Sequence, residues 1–93
     1  MNRRLIATPR FRRSYSRLQK LQQQLVDAAI VGLEEYLRTR RAPVGLGVKK
    51  LGGGIFEARV NRSLRIIYLD EGTEITLAVL GSHDEVRRFL KSL

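Results

Sequence analysis

The sequence predicts an α+β fold, with helices packed on one face of an antiparallel β-sheet. Apolar residues between positions 11 and 37 recur at helical spacing, whereas those between 55 and 80 fall into runs rich in β-branched residues. The links between these later runs have the length and composition of hairpin turns. Because 93 residues leave room for one small domain, we expect residues 1–93 to form a single unit.

The N-terminal half is predicted to be a short strand followed by a helical hairpin. Residues 4–8 form the strand candidate, and the proline that follows suits an edge position. From Phe11 onward, apolar side chains share one helical face. We expect a short helix, a bend near Lys20 and Leu21, and a longer helix that ends around Thr39.

The C-terminal half is predicted to be a three-stranded antiparallel meander and a short helix. Pro43 and Gly45 would stop the preceding helix, and the basic, glycine-rich segment 44–54 is expected to be a flexible connection. A final helix should begin near Asp84, with Ser82 or Asp84 as its N-cap. The three strands are Ile55–Val60, Leu64–Leu69 and Glu74–Leu80, with the last in a central position. The predicted order is therefore β-α-α-β-β-β-α.

Strand alternation divides the side chains between two faces of the sheet. The set containing Phe56, Ala58 and Val60 is the better core, so the helices should cover that face. The opposite face is expected to be open and concave. Its predicted lining consists of Glu57, Arg59, Arg65 and His83, with Lys49, Lys50, Arg62 and Arg87 around the rim.

Composition narrows the classes of partner and of chemistry. Eighteen Lys and Arg against nine Asp and Glu give a formal charge of +9, which favours a polyanion or an acidic protein as partner. The absence of cysteine and the single histidine exclude a disulfide scaffold, a thiolate zinc site and any site that needs two imidazoles. We expect no cofactor and no metal. Neither a signal peptide nor a membrane-spanning run is evident, so a cytoplasmic location is expected.

The residues on the open face suit metal-independent cleavage of RNA. Attack by a 2′-hydroxyl needs proton transfer and needs the charge of the pentavalent phosphate to be balanced. Guanidinium groups supply the second requirement. A histidine can be general acid or general base near neutral pH, and the sequence does not choose between these two roles for His83. Glu57 is a weaker candidate for the complementary proton transfer.

Simpler interpretations of the same residues remain open. His83 follows a strand and precedes a helix, so it could be only a capping or turn residue. Arg59 and Arg65 could be solvated cross-strand partners of Glu57 or Glu74, although acids are too few to pair every arginine. The arginine-rich first twenty residues could bind rRNA, form a solvated helix face, or lie under a partner.

An ordered set of segments resembles the RelE/ParE superfamily of bacterial toxins, the toxic halves of type II toxin–antitoxin pairs. The segments are Lys49-Lys50-Leu51, Ile55 to Val60, Leu64 to Tyr68 and Val79 to Val86. Nuclease members of this superfamily enter the ribosomal A site and cleave mRNA without a metal. The resemblance implies a ribosome-dependent endoribonuclease whose partners are mRNA, rRNA and a cognate acidic antitoxin, with which it would form a hetero-oligomer.

The resemblance also assigns roles to single residues. Arg59 and Arg65 match the basic positions of the sheet face, and His83 matches the catalytic position at the end of the last strand. Arg87 departs from the pattern, because many nucleases of the superfamily carry Tyr or Phe there. Lys49, Lys50, Arg62 and Arg87 are expected to bind RNA. Two alternatives stay open, namely a ParE-like inhibitor of DNA gyrase without catalytic residues and a non-toxic basic RNA-binding module.

Overall fold

The computed structural model describes residues 3–41 and 45–93 and confirms the α+β class. One five-stranded sheet has the strand order β1-β5-β4-β3-β2. Strand β1 runs parallel to β5, whereas the other neighbouring strands are antiparallel, so the sheet is mixed rather than wholly antiparallel. The elements are β1 (Arg4–Ala7), α1 (Pro9–Arg17), α2 (Lys20–Thr39), β2 (Lys49–Gly52), β3 (Ile55–Arg59), β4 (Leu64–Asp70), β5 (Glu74–Ser82) and α3 (His83–Lys91).

Strand β2 contradicts the expected flexible connection. Its first two residues pair with β3, Lys49 opposite Glu57 and Lys50 opposite Phe56, and a bulge follows before Gly52. The next two glycines have positive φ values, 49° at Gly53 and 83° at Gly54, and turn the chain directly into β3. The predicted order therefore lacked one strand. Pro43, expected to stop the long helix, and Val44 lie outside the described residues.

The N-terminal helices form the predicted hairpin. Helix α1 begins after Thr8, whose hydroxyl accepts a hydrogen bond from the Phe11 amide. Two extended residues separate α1 from α2, so the break lies at 18–19, just before the predicted bend. The Tyr15 hydroxyl donates to the Asp27 carboxylate at 2.8 Å. In one straight helix these residues would lie about 18 Å apart along the axis, so the chain reverses direction between them.

The main core lies between this hairpin and one face of the sheet. Val26 and Leu33 of α2 are fully buried against that face. On the sheet side the same core contains Phe56, Ala58, Val60, Leu64, Ile66 and Tyr68, which confirms the predicted division of the strands into two faces. Burial raises the pKa of Tyr68 to about 12, and the nearby Tyr36 and Asp70 add to the increase. Tyr68 is therefore a core residue.

The opposite face is only partly open. Helix α3 packs across it, and Val86 forms a second buried cluster with Ile67, Ala78 and Val79. The apolar side of α3 thus finds its partner on the face that was expected to be open. The exposed part of this face is the end that carries Arg59 and the start of α3, whereas Arg65 is largely covered.

Candidate functional site

Two arginines lie directly opposite each other at this end of the sheet. Arg59 of β3 pairs with Arg65 of β4 in the strand register. The Arg59 amide donates to the Leu46 carbonyl at 2.7 Å, away from β4, so the arginines form a non-hydrogen-bonded pair. In such pairs the side chains lie closer together, and like charges there destabilise the sheet. The pair concentrates positive charge where an anion would be stabilised.

Acidic neighbours balance this charge only in part. Glu57 precedes Arg59 by two residues and shares its face. One oxygen of its carboxylate lies 4.0 Å from Nε of Arg65, which is too long for a hydrogen bond. Both side chains are 16% exposed. Glu74 pairs with Arg4 at the other end of β5, so it is not a cross-strand partner of either arginine. One carboxylate therefore accompanies two guanidinium groups.

His83 is the first residue of α3 and lies at the same end of the sheet. Gly81 is opposite Arg65 in the register, and His83 follows two residues later. Ser82, one of the two predicted candidates, is the N-cap, and its hydroxyl accepts a hydrogen bond from the Glu85 amide at 3.2 Å. Since Ser82 supplies the capping oxygen, the cap does not require His83. The histidine side chain is exposed.

Glu85 completes this turn, and its role was not predicted from the sequence. Its carboxylate accepts a hydrogen bond from the Ser82 amide at 3.1 Å, which closes a reciprocal capping box. A Cβ atom at Gly81 would lie 3.0 Å from Cβ of Glu85, so glycine lets the glutamate side chain fold back over the strand end. The Ser-x-x-Glu spacing of residues 82–85 is the signal that could have revealed it.

The predicted rim residues do not all share one surface. Lys49 is opposite Glu57 and therefore lies on the face of the two arginines. Lys50, predicted at the rim, is opposite Phe56 and therefore lies on the other face of the sheet. The cause is the extended backbone of β2, which places successive side chains on opposite faces. Arg62 is exposed in the β3–β4 turn, and Arg87 is exposed one helical turn after His83.

The arrangement combines anion recognition with a group able to transfer protons. Arg59 and Arg65 can bind phosphate oxygens, and the imidazole of His83 can donate or accept a proton. Within residues 3–41 and 45–93 there is no group of three or more His, Cys, Asp or Glu side chains that could hold a metal ion. In the same part of the chain no helix is long and apolar enough to cross a bilayer.

Solved toxins of toxin–antitoxin pairs have the same fold. One chain of the E. coli DinJ–YafQ toxin–antitoxin complex matches with a TM-score of 0.76 and 16% identity, over 92% of this chain and 98% of that one. The archaeal RelE–RelB complex from Pyrococcus horikoshii OT3 gives 0.68 and 22%, over 88% and 96%. The YoeB/ParE toxin from Agrobacterium tumefaciens gives 0.66 and 19%, over 86% and 98%.

These matches define the fold of the chain. It is the fold of the RelE/ParE toxins, as the resemblance implied, and it extends over most of both chains in each comparison. No family model matches the sequence, and no curated protein matches it significantly.

Proposed function

We propose that this chain is the toxin of a type II toxin–antitoxin pair and that it cleaves mRNA on the ribosome without a metal. The observation that carries the proposal is the opposed pair Arg59 and Arg65 at the sheet end from which His83 begins α3. The fold adds support, because proteins that share it are toxins of toxin–antitoxin complexes.

In this proposal the chemistry is internal attack by a ribose 2′-oxygen on the adjacent phosphorus. Arg59 and Arg65 donate hydrogen bonds to the non-bridging oxygens and balance the charge that grows on them in the transition state. His83 exchanges a proton with the attacking 2′-hydroxyl or with the departing 5′-oxygen. Glu57 is the carboxylate beside Arg65 on this face and would serve the complementary step.

Arg87 would take over contacts that an aromatic residue makes in many nucleases of the superfamily. It is exposed on α3 and lies one turn beyond His83, so both side chains project from the same side of the helix. A guanidinium plane can stack on an unstacked base and can also contact a phosphate. Lys49 and Arg62 add positive charge around the arginine pair.

The partner in the cell would be a cognate acidic antitoxin, and the site of action would be the cytoplasm. A charge of +9 on 93 residues favours an acidic partner, which neutralises part of that charge on binding. The DinJ–YafQ and RelE–RelB chains were solved as toxin–antitoxin complexes.

The test is inducible expression in bacteria of the wild type, His83→Ala, Arg65→Ala and a control, Lys91→Ala. Lys91 is an exposed cation at the far end of α3, so its loss changes charge without touching the arginine pair. We expect growth arrest and new 5′ ends inside coding regions with the wild type and the control. Both should be lost in His83→Ala and Arg65→Ala, with far-UV circular dichroism unchanged.

Two other results would contradict the proposal. Growth arrest by all four proteins with intact transcripts would indicate a binding toxin, such as an inhibitor of gyrase. Normal growth with every protein would indicate a basic RNA-binding module.

A further inference from the structure

The position of the His83 imidazole depends on the backbone of the turn that carries it. His83 is the first residue of α3, and its side chain is exposed. Among the residues that the structure describes, none forms a hydrogen bond with the imidazole. No hydrogen bond therefore fixes the ring relative to Arg59 and Arg65. Its place is set by the direction in which α3 leaves β5.

Helix α3 is attached to the sheet in two ways. One turn into the helix the attachment is apolar, since Val86 is buried against Ile67. At the start of the helix it is polar. The Glu85 carboxylate accepts a hydrogen bond from the Ser82 amide, and the Ser82 hydroxyl accepts one from the Glu85 amide. These two bonds span His83, so they determine how the chain passes from the strand into the helix at that residue.

Gly81 makes the close approach of Glu85 possible at a cost to the strand. It is buried within β5, and its φ is not positive, so the backbone conformation does not require glycine. Glycine weakens a strand and often marks a place where another group comes close. A Cβ at this position would lie 3.0 Å from Cβ of Glu85 and 3.2 Å from its Oε1. The glutamate side chain therefore covers the strand at the position opposite Arg65.

The Glu85 carboxylate serves the turn rather than the neighbouring arginine. Within residues 3–41 and 45–93, Glu85 takes part in no ion pair, whereas Glu57 lies 4.0 Å from Nε of Arg65. A capping box needs an acceptor at this position, which glutamine supplies as well as glutamate. The hydrogen bond and the charge of Glu85 can therefore be tested separately.

We propose that Glu85 is a positioning residue that holds the His83 imidazole beside the anion site formed by Arg59 and Arg65. The inference rests on the proposed function and adds a residue that acts through His83 rather than on the RNA. Without the carboxyl oxygen the first turn of α3 loses its tie to the strand end, and the imidazole is displaced from the arginine pair. A proton-transfer group must lie within hydrogen-bond reach of its target. A displacement of about 1 Å costs about a hundredfold in rate.

The test compares variants that separate the hydrogen bond, the charge and the space at this turn. Glu85→Ala removes the acceptor, whereas Glu85→Gln keeps an acceptor and removes the charge. Gly81→Ala keeps the glutamate but adds a Cβ at 3.0 Å from Cβ of Glu85. Since that atom is fixed to the helix backbone, the first turn of α3 must move. Asp84→Ala is the matched control, because Asp84 is an exposed acid of the same turn and accepts no hydrogen bond in the described part of the chain.

The first measurement is mRNA cleavage on programmed ribosomes by the full chain, made by cell-free synthesis. We expect kcat to fall about tenfold to a hundredfold in Glu85→Ala and Gly81→Ala. KM should stay within about twofold, because the phosphate contacts of the arginine pair remain. Glu85→Gln and Asp84→Ala should cleave like the wild type. Far-UV circular dichroism at the assay temperature should be the same for all variants, which separates positioning from folding.

The second measurement does not depend on cleavage. The chain has one histidine, so the imidazole signals in a carbon–proton NMR spectrum belong to His83. Inorganic phosphate is the probe, added at constant pH and ionic strength. It should shift these signals in the wild type, Glu85→Gln and Asp84→Ala. The shift should be much smaller in Glu85→Ala and Gly81→Ala at the same phosphate affinity, which the Nε–H signal of Arg65 reports.

The outcomes distinguish this inference from the proposed function. Wild-type kcat and a wild-type phosphate response in Glu85→Ala would overturn the inference and leave the nuclease intact. Equal losses in Glu85→Gln and Glu85→Ala would also overturn it, because the charge rather than the hydrogen bond would then be required. If the wild type cleaves no mRNA, the proposed function fails, and the phosphate response decides the positioning role. An equal response in every protein would overturn that role, and a response that depends on Glu85 would support it.

Discussion

The strand register decides which single charges act together at the candidate site. Arg59 and Arg65 are opposite each other, and like charges in such a pair destabilise a sheet. Glu57 offsets part of this cost from 4.0 Å. A bound phosphate would make the electrostatic contribution of the pair favourable, because each guanidinium then has an anion to contact. The pair is therefore better explained by ligand binding than by stability.

Lys49 and Lys50 provide a direct test of the register, since they are adjacent in sequence but lie on opposite faces. We expect Lys49→Ala to weaken binding of a short single-stranded RNA about threefold to tenfold, the loss of one phosphate contact. Lys50→Ala should change the affinity little, because its side chain lies on the face of Phe56. Fluorescence anisotropy at a fixed salt concentration measures both. Equal losses would show that the arginine face is not the RNA surface.

Among the helices and strands, those whose signal is local could be predicted. Helical periodicity predicted α1 and α2, and hairpin-length turns predicted that β3, β4 and β5 follow one another as an antiparallel meander. Strand β2 could not be predicted because Lys49–Gly52 contains a single apolar residue and is a strand only through its pairing with β3. The parallel pairing of β1 with β5 joins residues about seventy positions apart, which no local pattern records.

The ion pair between Arg3 and Asp70 ties β1 to the end of β4. The Arg3 guanidinium donates to the Asp70 carboxylate at 2.7 Å. Burial raises the pKa of Asp70, but hydrogen bonds from the Gly72 amide and Arg3 lower it more, so the pKa lies below its ordinary value. A carboxyl with a depressed folded-state pKa stabilises the fold above its unfolded-state pKa. That contribution is lost as the pH falls through the folded-state pKa.

Asp70→Asn should therefore lower the free energy of unfolding at neutral pH by about 1 kcal/mol, as expected for a partly exposed pair. At a pH below the folded-state pKa of Asp70, the variant and the wild type should have similar stability, because the carboxyl is then neutral in both states. Urea denaturation at pH 7 and in strong acid measures the difference. A stability difference that does not shrink in acid would mean that the charge of Asp70 is not the cause.

At the scale of the whole molecule, more of the candidate site than of the packing around it could be predicted from the sequence. Alternation placed Arg59 and Arg65 on one face, and the end of the last strand placed His83 beside them. The packing of α3 on Ile67 and Val79 could not be predicted. An amphipathic pattern shows that a helix has an apolar side, but it does not show which face of the sheet that side contacts. The cleft between α2 and the segment before β2 could not be predicted either, since it depends on how the helical hairpin and that segment pack together.

The net charge of +9 predicts a salt dependence that separates RNA binding from chemistry. If Arg59, Arg65, Lys49, Arg62 and Arg87 each contact one phosphate, counterion release gives a slope of log affinity against log salt of about −3.5 for single-stranded RNA. Arg65→Ala should make this slope shallower by about 0.7, because one phosphate contact is lost. Lys91→Ala is the charge-matched control and should leave the slope unchanged. Anisotropy titrations between about 50 and 200 mM salt measure all three proteins. A slope that responds equally to Arg65→Ala and Lys91→Ala would mean that RNA senses only the total charge, and the arginine pair would lose its role as the binding site.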